Sequence, residues 1–205
     1  MPEKTEAFAH SQTRENLMRA FAGESQARNR YTIAAGIAYK SGLEVIQGLF
    51  LFTADQEKAH AKQFYRQLHD LGGQTIRVDG TYPVDLYADL LDYLRAAQHN
   101  EYGEWEHDYA SFARTAMEEG FPLVGKLFEN IANVEKIHGD RFGRYADMLE
   151  QGQLFASDTK VEWMCLNCGY VVDATAAPAH CPVCRHPQGY FVRVELAPYH
   201  SGPVK

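Results

Sequence analysis

The sequence has no stretch approaching the roughly 18 consecutive apolar residues that a membrane-crossing helix requires, and no cysteine before position 165. Its start, Met1-Pro2-Glu3-Lys4-Thr5-Glu6, lacks the apolar core of a secretory leader. Positive charge is also scarce: 20 Lys and Arg against 27 Asp and Glu leave a net charge of −7. That balance argues against nucleic acid or an anionic membrane as the main partner. With no leader, the four cysteines read as metal ligands rather than disulfides, and the expected compartment is the reducing cytoplasm. Apolar residues are ample at 45%, so 205 residues suffice for one ordinary domain and a small one.

Helical patterning fills the first 150 or so residues. Four long amphipathic stretches are predicted, with breaks at Ser41-Gly42, Gly72-Gly73, Gly120 and Gln151-Gly152. The first spans about Thr13 to Lys40. A Ser41/Glu44 capping box is expected to start the second, which runs to about Leu71. The third is expected from near Val84 to Gly120, and the fourth starts at Pro122, a residue welcome in a first turn. Each helix is about 45 Å long at 1.5 Å per residue. Short links make two antiparallel hairpins. The connection from Gly72 to Pro83 reaches about 40 Å at most, enough for one crossover along the bundle. Past Gln153 the composition shifts to Pro, Cys, Val and aromatic residues. The division expected is a bundle over 1–150, a linker over 151–160 and a small domain over 161–205, which a bound metal would stabilise.

Charged residues interrupt the inward stripes of these helices. Glu57-Lys-Ala-His60 lies on the second and Glu135-Lys-Ile-His138 on the fourth, and a Glu and a His three apart share one helix face. Glu24 falls in register with Leu17, Phe21 and Tyr31, and Glu101 and Glu104 follow Leu94 and Ala97. Two hairpins thus each offer a Glu and a Glu-x-x-His, the ligand pattern of a carboxylate-bridged di-iron site in a four-helix bundle. Five carboxylates in a core are untenable without compensation, which two divalent cations would supply. A third match, Glu104-Trp-Glu-His107, places His107 about 120° around the helix from Glu101 and reads as surface. Tyr31, seven residues after Glu24, returns to the same face; Tyr109, eight after Glu101, lies somewhat to one side. His10, His69, His99, His180, His186 and His200 follow no pattern and read as surface or structural.

Cys165-Leu-Asn-Cys168 and Cys181-Pro-Val-Cys184 bring four thiolates to one tetrahedral metal, zinc or iron. With Trp163, Tyr170, Pro187, Tyr190 and Phe191 around them, these residues resemble rubredoxin. Joined to Glu24-Ser-Gln-Ala-Arg-Asn-Arg-Tyr31 and the two Glu-x-x-His motifs, nearly the whole chain resembles rubrerythrin.

The resemblance implies a mainly α fold, a ferritin-like four-helix bundle with one crossover, plus a rubredoxin-like C-terminal domain. It implies a non-haem di-iron peroxidase that reduces hydrogen peroxide to water in oxidative-stress defence. Glu57 and Glu135 would bridge two irons, with Glu24, Glu101, Glu104, His60 and His138 as terminal ligands. Glu104 would trade places with His60 when the site is reduced. Tyr31 and Tyr109 match the tyrosines lining the family's site, and Glu104, Tyr31 and Tyr109 are the expected catalytic groups. A third iron, held by Cys165, Cys168, Cys181 and Cys184, would relay electrons from an NAD(P)H-linked reductase or a rubredoxin. A homodimer or higher homo-oligomer is expected, with one subunit's cysteine domain beside the other's bundle. One departure stands out: Arg185 follows the last cysteine, where rubredoxin sites usually have glycine. Two rival readings share the motifs, a ferritin-like ferroxidase handling iron and oxygen, and a zinc-ribbon interaction protein on a helical scaffold.

Overall fold

A computed structural model describes residues 2–198. Met1 and positions 199–205, including His200 and the end of the small domain, lie outside the described residues. Six α-helices precede a three-stranded sheet. They are α1 (Pro2–Ala9), α2 (Gln12–Lys40), α3 (Glu44–Arg66), α4 (Leu90–Gly103), α5 (Tyr109–Glu118) and α6 (Pro122–Glu150). A π-turn over Glu104–Asp108 joins α4 to α5, so the two form one long rod. None of the described helices is long and apolar enough to cross a membrane.

Where the helices begin and end differs from expectation in four places, the simplest being α3, which stops at Arg66 and leaves a separate 3-10 turn at His69–Leu71 where the helix was expected to end. Secondly, the Ser41/Glu44 capping box does not form. Gly42 takes φ 69°, and the amide of Leu43 bonds back to the Ala38 carbonyl at 3.0 Å, closing α2 in a Schellman turn. Ser41 is absorbed into that turn, its hydroxyl donating to Ile37 O, and α3 starts after Leu43 with no side-chain cap. The other hairpin closes alike, through Gly120 at φ 83° and Phe121 N to Ala116 O at 2.8 Å. Thirdly, α4 starts at Leu90 rather than near Val84, because Asp89 caps it by accepting from Leu91 N while Asp85 is engaged elsewhere. Fourthly, α1 precedes the first expected helix and packs Phe8 edge-on against Phe121.

The N-terminus of α2 gains a distant cap. Glu119 accepts from Gln12 N at 2.9 Å, Thr13 N at 2.7 Å and the Thr13 hydroxyl at 2.6 Å, so a carboxylate sits on the positive end of a helix. These donors, set against partial burial, hold its carboxyl below the ordinary value. The stabilisation is therefore complete above the unfolded carboxyl's pKa and is lost as pH falls through the depressed folded value. Glu119→Ala is expected to cost about 1 kcal/mol, read from urea midpoints at pH 7. The same substitution should cost nothing once the pH is low enough to protonate the parent carboxyl.

The bundle's apolar interior is divided. One cluster, around Ala38, Ile46, Phe50, Leu94 and Phe142, fills the end where α2 meets α3. The other, around Leu17, Phe64, Leu68, Ala116 and Phe128, fills the opposite end. Between them lies the belt of acidic residues. Because α3 ends in the second cluster and α4 starts in the first, the chain from Gly72 to Asp89 must run the length of the bundle. It is tied to α2 by Arg19 on Asp79 at 2.7 Å and by Arg30 on Asp85, and to α4 by Asn100 on Asp85.

The C-terminal sheet orders β1 (Ala156–Cys165) between β2 (Val171–Ala176) and β3 (Phe191–Arg193), all antiparallel. β1 opens at Ala156, within the stretch 151–160 expected as linker. Trp163, Ala177 and Phe191 form a small core with Cys165 and Cys181. Val192 and Ala197 pack instead into the bundle's first cluster, beside Val45 and Leu49.

Candidate metal centres

Each helix of the bundle delivers its acid to the same level. Glu24, Glu57, Glu101, Glu135 and His138 are all at most 2% exposed, with His60 beside them at the belt's edge. Their donor atoms fall into two groups, each within 4.8 Å: Glu24, Glu57, His60 and Glu135, and Glu57, Glu101, Glu135 and His138. Glu57 and Glu135 belong to both. Glu135 turns Oε1 to His60 Nδ1 at 2.9 Å and Oε2 to His138 Nδ1 at 2.8 Å. Glu57 does the converse, Oε2 to His60 at 3.4 Å and Oε1 to His138 at 3.0 Å. Each shared carboxylate therefore divides its two oxygens between the two groups, as a bridge between two cations requires.

The belt also leaves donors without partners. Both oxygens of Glu57 and of Glu135, Oε2 of Glu24 and of Glu101, and Nδ1 of both histidines are buried without a hydrogen bond. Burial of that many polar atoms is unfavourable unless something else bonds them. Charge tells the same story. Burial and then the Glu135 carboxylate push Glu24 well above the ordinary carboxyl range, and burial and then Glu57 push Glu101 up to about 8. Burial also acts to raise Glu57, but the close approach of the His138 and His60 imidazoles, at 3.0 and 3.4 Å, outweighs it and brings it down to about 2. Two divalent cations, bound by oxygen and imidazole donors, fit this set.

Two tyrosines cross-brace the belt. The Tyr31 hydroxyl of α2 donates to Glu101 of α4, and the Tyr109 hydroxyl of α5 donates to Glu24 of α2 at 2.5 Å. Each orients an acid on the opposite hairpin, the way outer partners fix ligand orientation. The two spacings differ by one residue. The step from Glu24 to Tyr31 is seven residues and that from Glu101 to Tyr109 is eight. The π-turn absorbs the extra residue, which is how Tyr109, expected to one side, reaches Glu24. Glu104 opens that turn and lies outside both groups. It stays close enough that burial, then Glu101 and Glu135, raise it well above the ordinary carboxyl range. His107 is exposed, as expected.

At the C-terminal module the sulfurs pair closely, Cys165 with Cys184 at 3.7 Å and Cys168 with Cys181 at 3.6 Å, all four within 4.8 Å. A tetrahedron with metal–sulfur bonds of about 2.3 Å has edges of about 3.8 Å, so the four thiols already have the right spread. Two alike turns hold them: Gly169 N donates to Cys165 O and Arg185 N to Cys181 O. Gly169 takes φ 76° and Arg185 φ 67°, so arginine occupies a conformation disfavoured by its Cβ. Arg185→Gly is expected to stabilise the metal-loaded module by about 1 kcal/mol, seen as a higher urea midpoint for loss of its visible absorbance. An unchanged or lower midpoint would show that the arginine is not strained.

Known proteins match this architecture. The family model described as Rubrerythrin covers residues 15–146, and that described as Rubrerythrin, rubredoxin-like domain covers 163–192. Rubrerythrin of Clostridium perfringens is 46% identical over 182 residues, spanning 88% of this chain and 93% of that protein. A solved structure of nigerythrin in a partially reduced state aligns with a TM-score of 0.61 at 27% identity, over 90% of each chain. A bacterioferritin of Desulfovibrio desulfuricans shares the bundle fold with a TM-score of 0.63 at 20% identity, over 73% of this chain and 85% of that one.

Proposed function

The chain belongs to the rubrerythrin family, carrying di-iron carboxylate residues and a rubredoxin-like four-cysteine knuckle, and from that premise we propose that it is a non-haem di-iron peroxidase reducing hydrogen peroxide to water. The observation that carries the proposal is the division of the Glu57 and Glu135 oxygens between two donor groups. One iron would be held by Glu24 and His60, the other by Glu101 and His138, with Glu57 and Glu135 shared. Glu104 would serve the first iron in place of His60. When bound, two ferrous ions supply one electron each and Lewis acidity at the peroxide oxygens.

The protein's own groups do the rest. Tyr31 and Tyr109 hold Glu101 and Glu24 in place through their hydroxyls. Glu104, whose carboxyl is raised by burial and then by Glu101 and Glu135, borders a cleft open to solvent and would pass a proton to a departing oxygen when it is not bound to iron. Aromatic rings of Phe50, Phe64, Phe128 and Phe142 close both ends of the belt, so solvent enters from the side.

Electrons would return one at a time from the four-cysteine iron, itself supplied by an NAD(P)H-linked reductase or a rubredoxin. The module abuts α3 at Glu44, thirteen residues before Glu57, or about 20 Å along the helix. We therefore place the working electron path between subunits of a homodimer, and a fully active monomer by sedimentation would overturn that.

Anaerobic stopped-flow tests the proposal. The iron-loaded protein is reduced, then mixed with one equivalent of hydrogen peroxide while the visible ferric–thiolate band is followed. Its return with peroxide, much faster than with dioxygen, is the expected result. Return only with dioxygen would indicate a ferroxidase, and a band that never appears would mean zinc or no metal at the cysteines.

A further inference from the structure

Beside the carboxylate belt lies a cleft of about 540 Å³, far larger than the expected substrate. Liquid water takes about 30 Å³ per molecule, so hydrogen peroxide, with two oxygens, requires on the order of 60 Å³. A volume of several hundred Å³ is that of a site for an organic molecule. Its roof is the crossover strap: Tyr82 and Pro83 lie over α2, the Tyr82 hydroxyl donating to Arg19 O at 3.4 Å. Phe112 supplies an apolar wall, and the inner end is formed by Glu104 and Tyr109. The cleft therefore runs from the strap to a carboxyl group at the belt and to the tyrosine bound to Glu24.

Charge narrows the occupant further. Both arginines of the lining are already engaged, Arg19 by Asp79 at 2.7 Å and Glu15 at 3.2 Å, and Arg30 by Asp85. The carboxyls of Glu104 and Asp108 also line the space. An anionic ligand would meet acids without a spare guanidinium, so the cleft suits a neutral molecule with an apolar body.

We propose that this cleft admits organic hydroperoxides, ROOH, with R held beneath Tyr82 and against Phe112 and the –OOH group at Glu104. The inference rests on the peroxidase reading and widens its substrate class. The reaction balances as ROOH + 2 e⁻ + 2 H⁺ → ROH + H₂O. The O–O bond breaks, one proton reaches each oxygen, and the two electrons would come from two ferrous ions held by the belt.

Cumene hydroperoxide is the probe, with cumyl alcohol as its unreactive counterpart. The full-length iron-loaded protein should bind cumyl alcohol in its oxidised form by calorimetry. After reduction it should consume cumene hydroperoxide with kcat/KM within about a hundredfold of hydrogen peroxide. Gly103 also lines the cleft, and a Cβ placed there meets nothing within 4 Å. Gly103→Leu should abolish cumyl alcohol binding and lower kcat/KM for cumene hydroperoxide at least about tenfold, with hydrogen peroxide turnover unchanged. Tyr82→Ala, in an exposed loop, should weaken alcohol binding and raise KM for cumene hydroperoxide alone. Hydrogen peroxide turnover without alcohol binding or cumene hydroperoxide turnover would overturn this proposal and leave the peroxidase reading standing. Equal losses on both peroxides in both variants would overturn it as well. Failure to consume either peroxide would sink both readings together.

Discussion

Glu135→Ala is expected to empty the carboxylate belt of iron and to lower peroxide kcat/KM at least about a thousandfold. Glu135 faces both donor groups, one oxygen to each, so its loss removes a donor from both positions and the link between them. Glu24→Ala removes a donor from one group only and should leave part of the iron bound. The four-cysteine centre shares no ligand with the belt, so its visible spectrum should match the parent's. Stability should change in a way that separates ligand loss from misfolding. Iron in the belt stabilises the parent by binding only the folded chain, and that part of the rise in melting temperature should vanish in Glu135→Ala. In the metal-free protein the same substitution also lifts repulsion from Glu24, Glu101 and Glu104, each of which is raised in part by Glu135. A variant that keeps two irons per chain and normal turnover would show that the bridge lies elsewhere.

Gly189→Val should release the cysteine module from the bundle. A Cβ at position 189 would lie 1.9 Å from the Gly42 carbonyl oxygen and 2.3 Å from a Glu44 carboxylate oxygen. Glu44 can swing away, but Gly42 sits at φ 69° in the turn that closes α2, so its carbonyl cannot yield without opening that turn. Overpacking of this kind costs about 3 kcal/mol or more. The module must then lift, taking Val192 and Ala197 out of the apolar cluster they share with Val45 and Leu49. Calorimetry should resolve two transitions where the parent shows one, with both iron centres retained. Electron transfer out of the four-cysteine iron, read as return of its ferric–thiolate band after peroxide, should slow. A single transition at the parental temperature would mean that the contact carries no stability.

The sequence carried the chemistry of this protein because its site is built from local periodicity. Glu and His three apart must share a helix face, so Glu57 with His60 and Glu135 with His138 were legible as pairs, and the twofold repeat supplied Glu24 and Glu101. The same holds for the cysteines, whose two x-x spacings permit only tight turns, and for the strain at Arg185, visible because arginine stands where a left-handed residue is needed. Hairpin breaks at Gly42 and Gly120 were equally local.

What the tertiary structure decided are matters of competition and distance. Ser41 and Glu44 had the pattern of a cap, but the left-handed closure of α2 claimed Ser41 first. Val84 to Leu86 had helical character, yet Asp85 is drawn to Arg30 and Asn100, and the helix waits for Asp89. The extra residue between Glu101 and Tyr109 was there to count, but only packing against α2 shows it as a π-turn that brings Tyr109 to Glu24. The sharing of Glu57 and Glu135 between two donor groups, the position of Glu104 beside an oversized cleft, and the seat of Gly189 on Gly42 depend on residues far apart in the chain. Periodicity orders side chains around one helix; it holds no information on which helix lies opposite, and that is settled by packing alone.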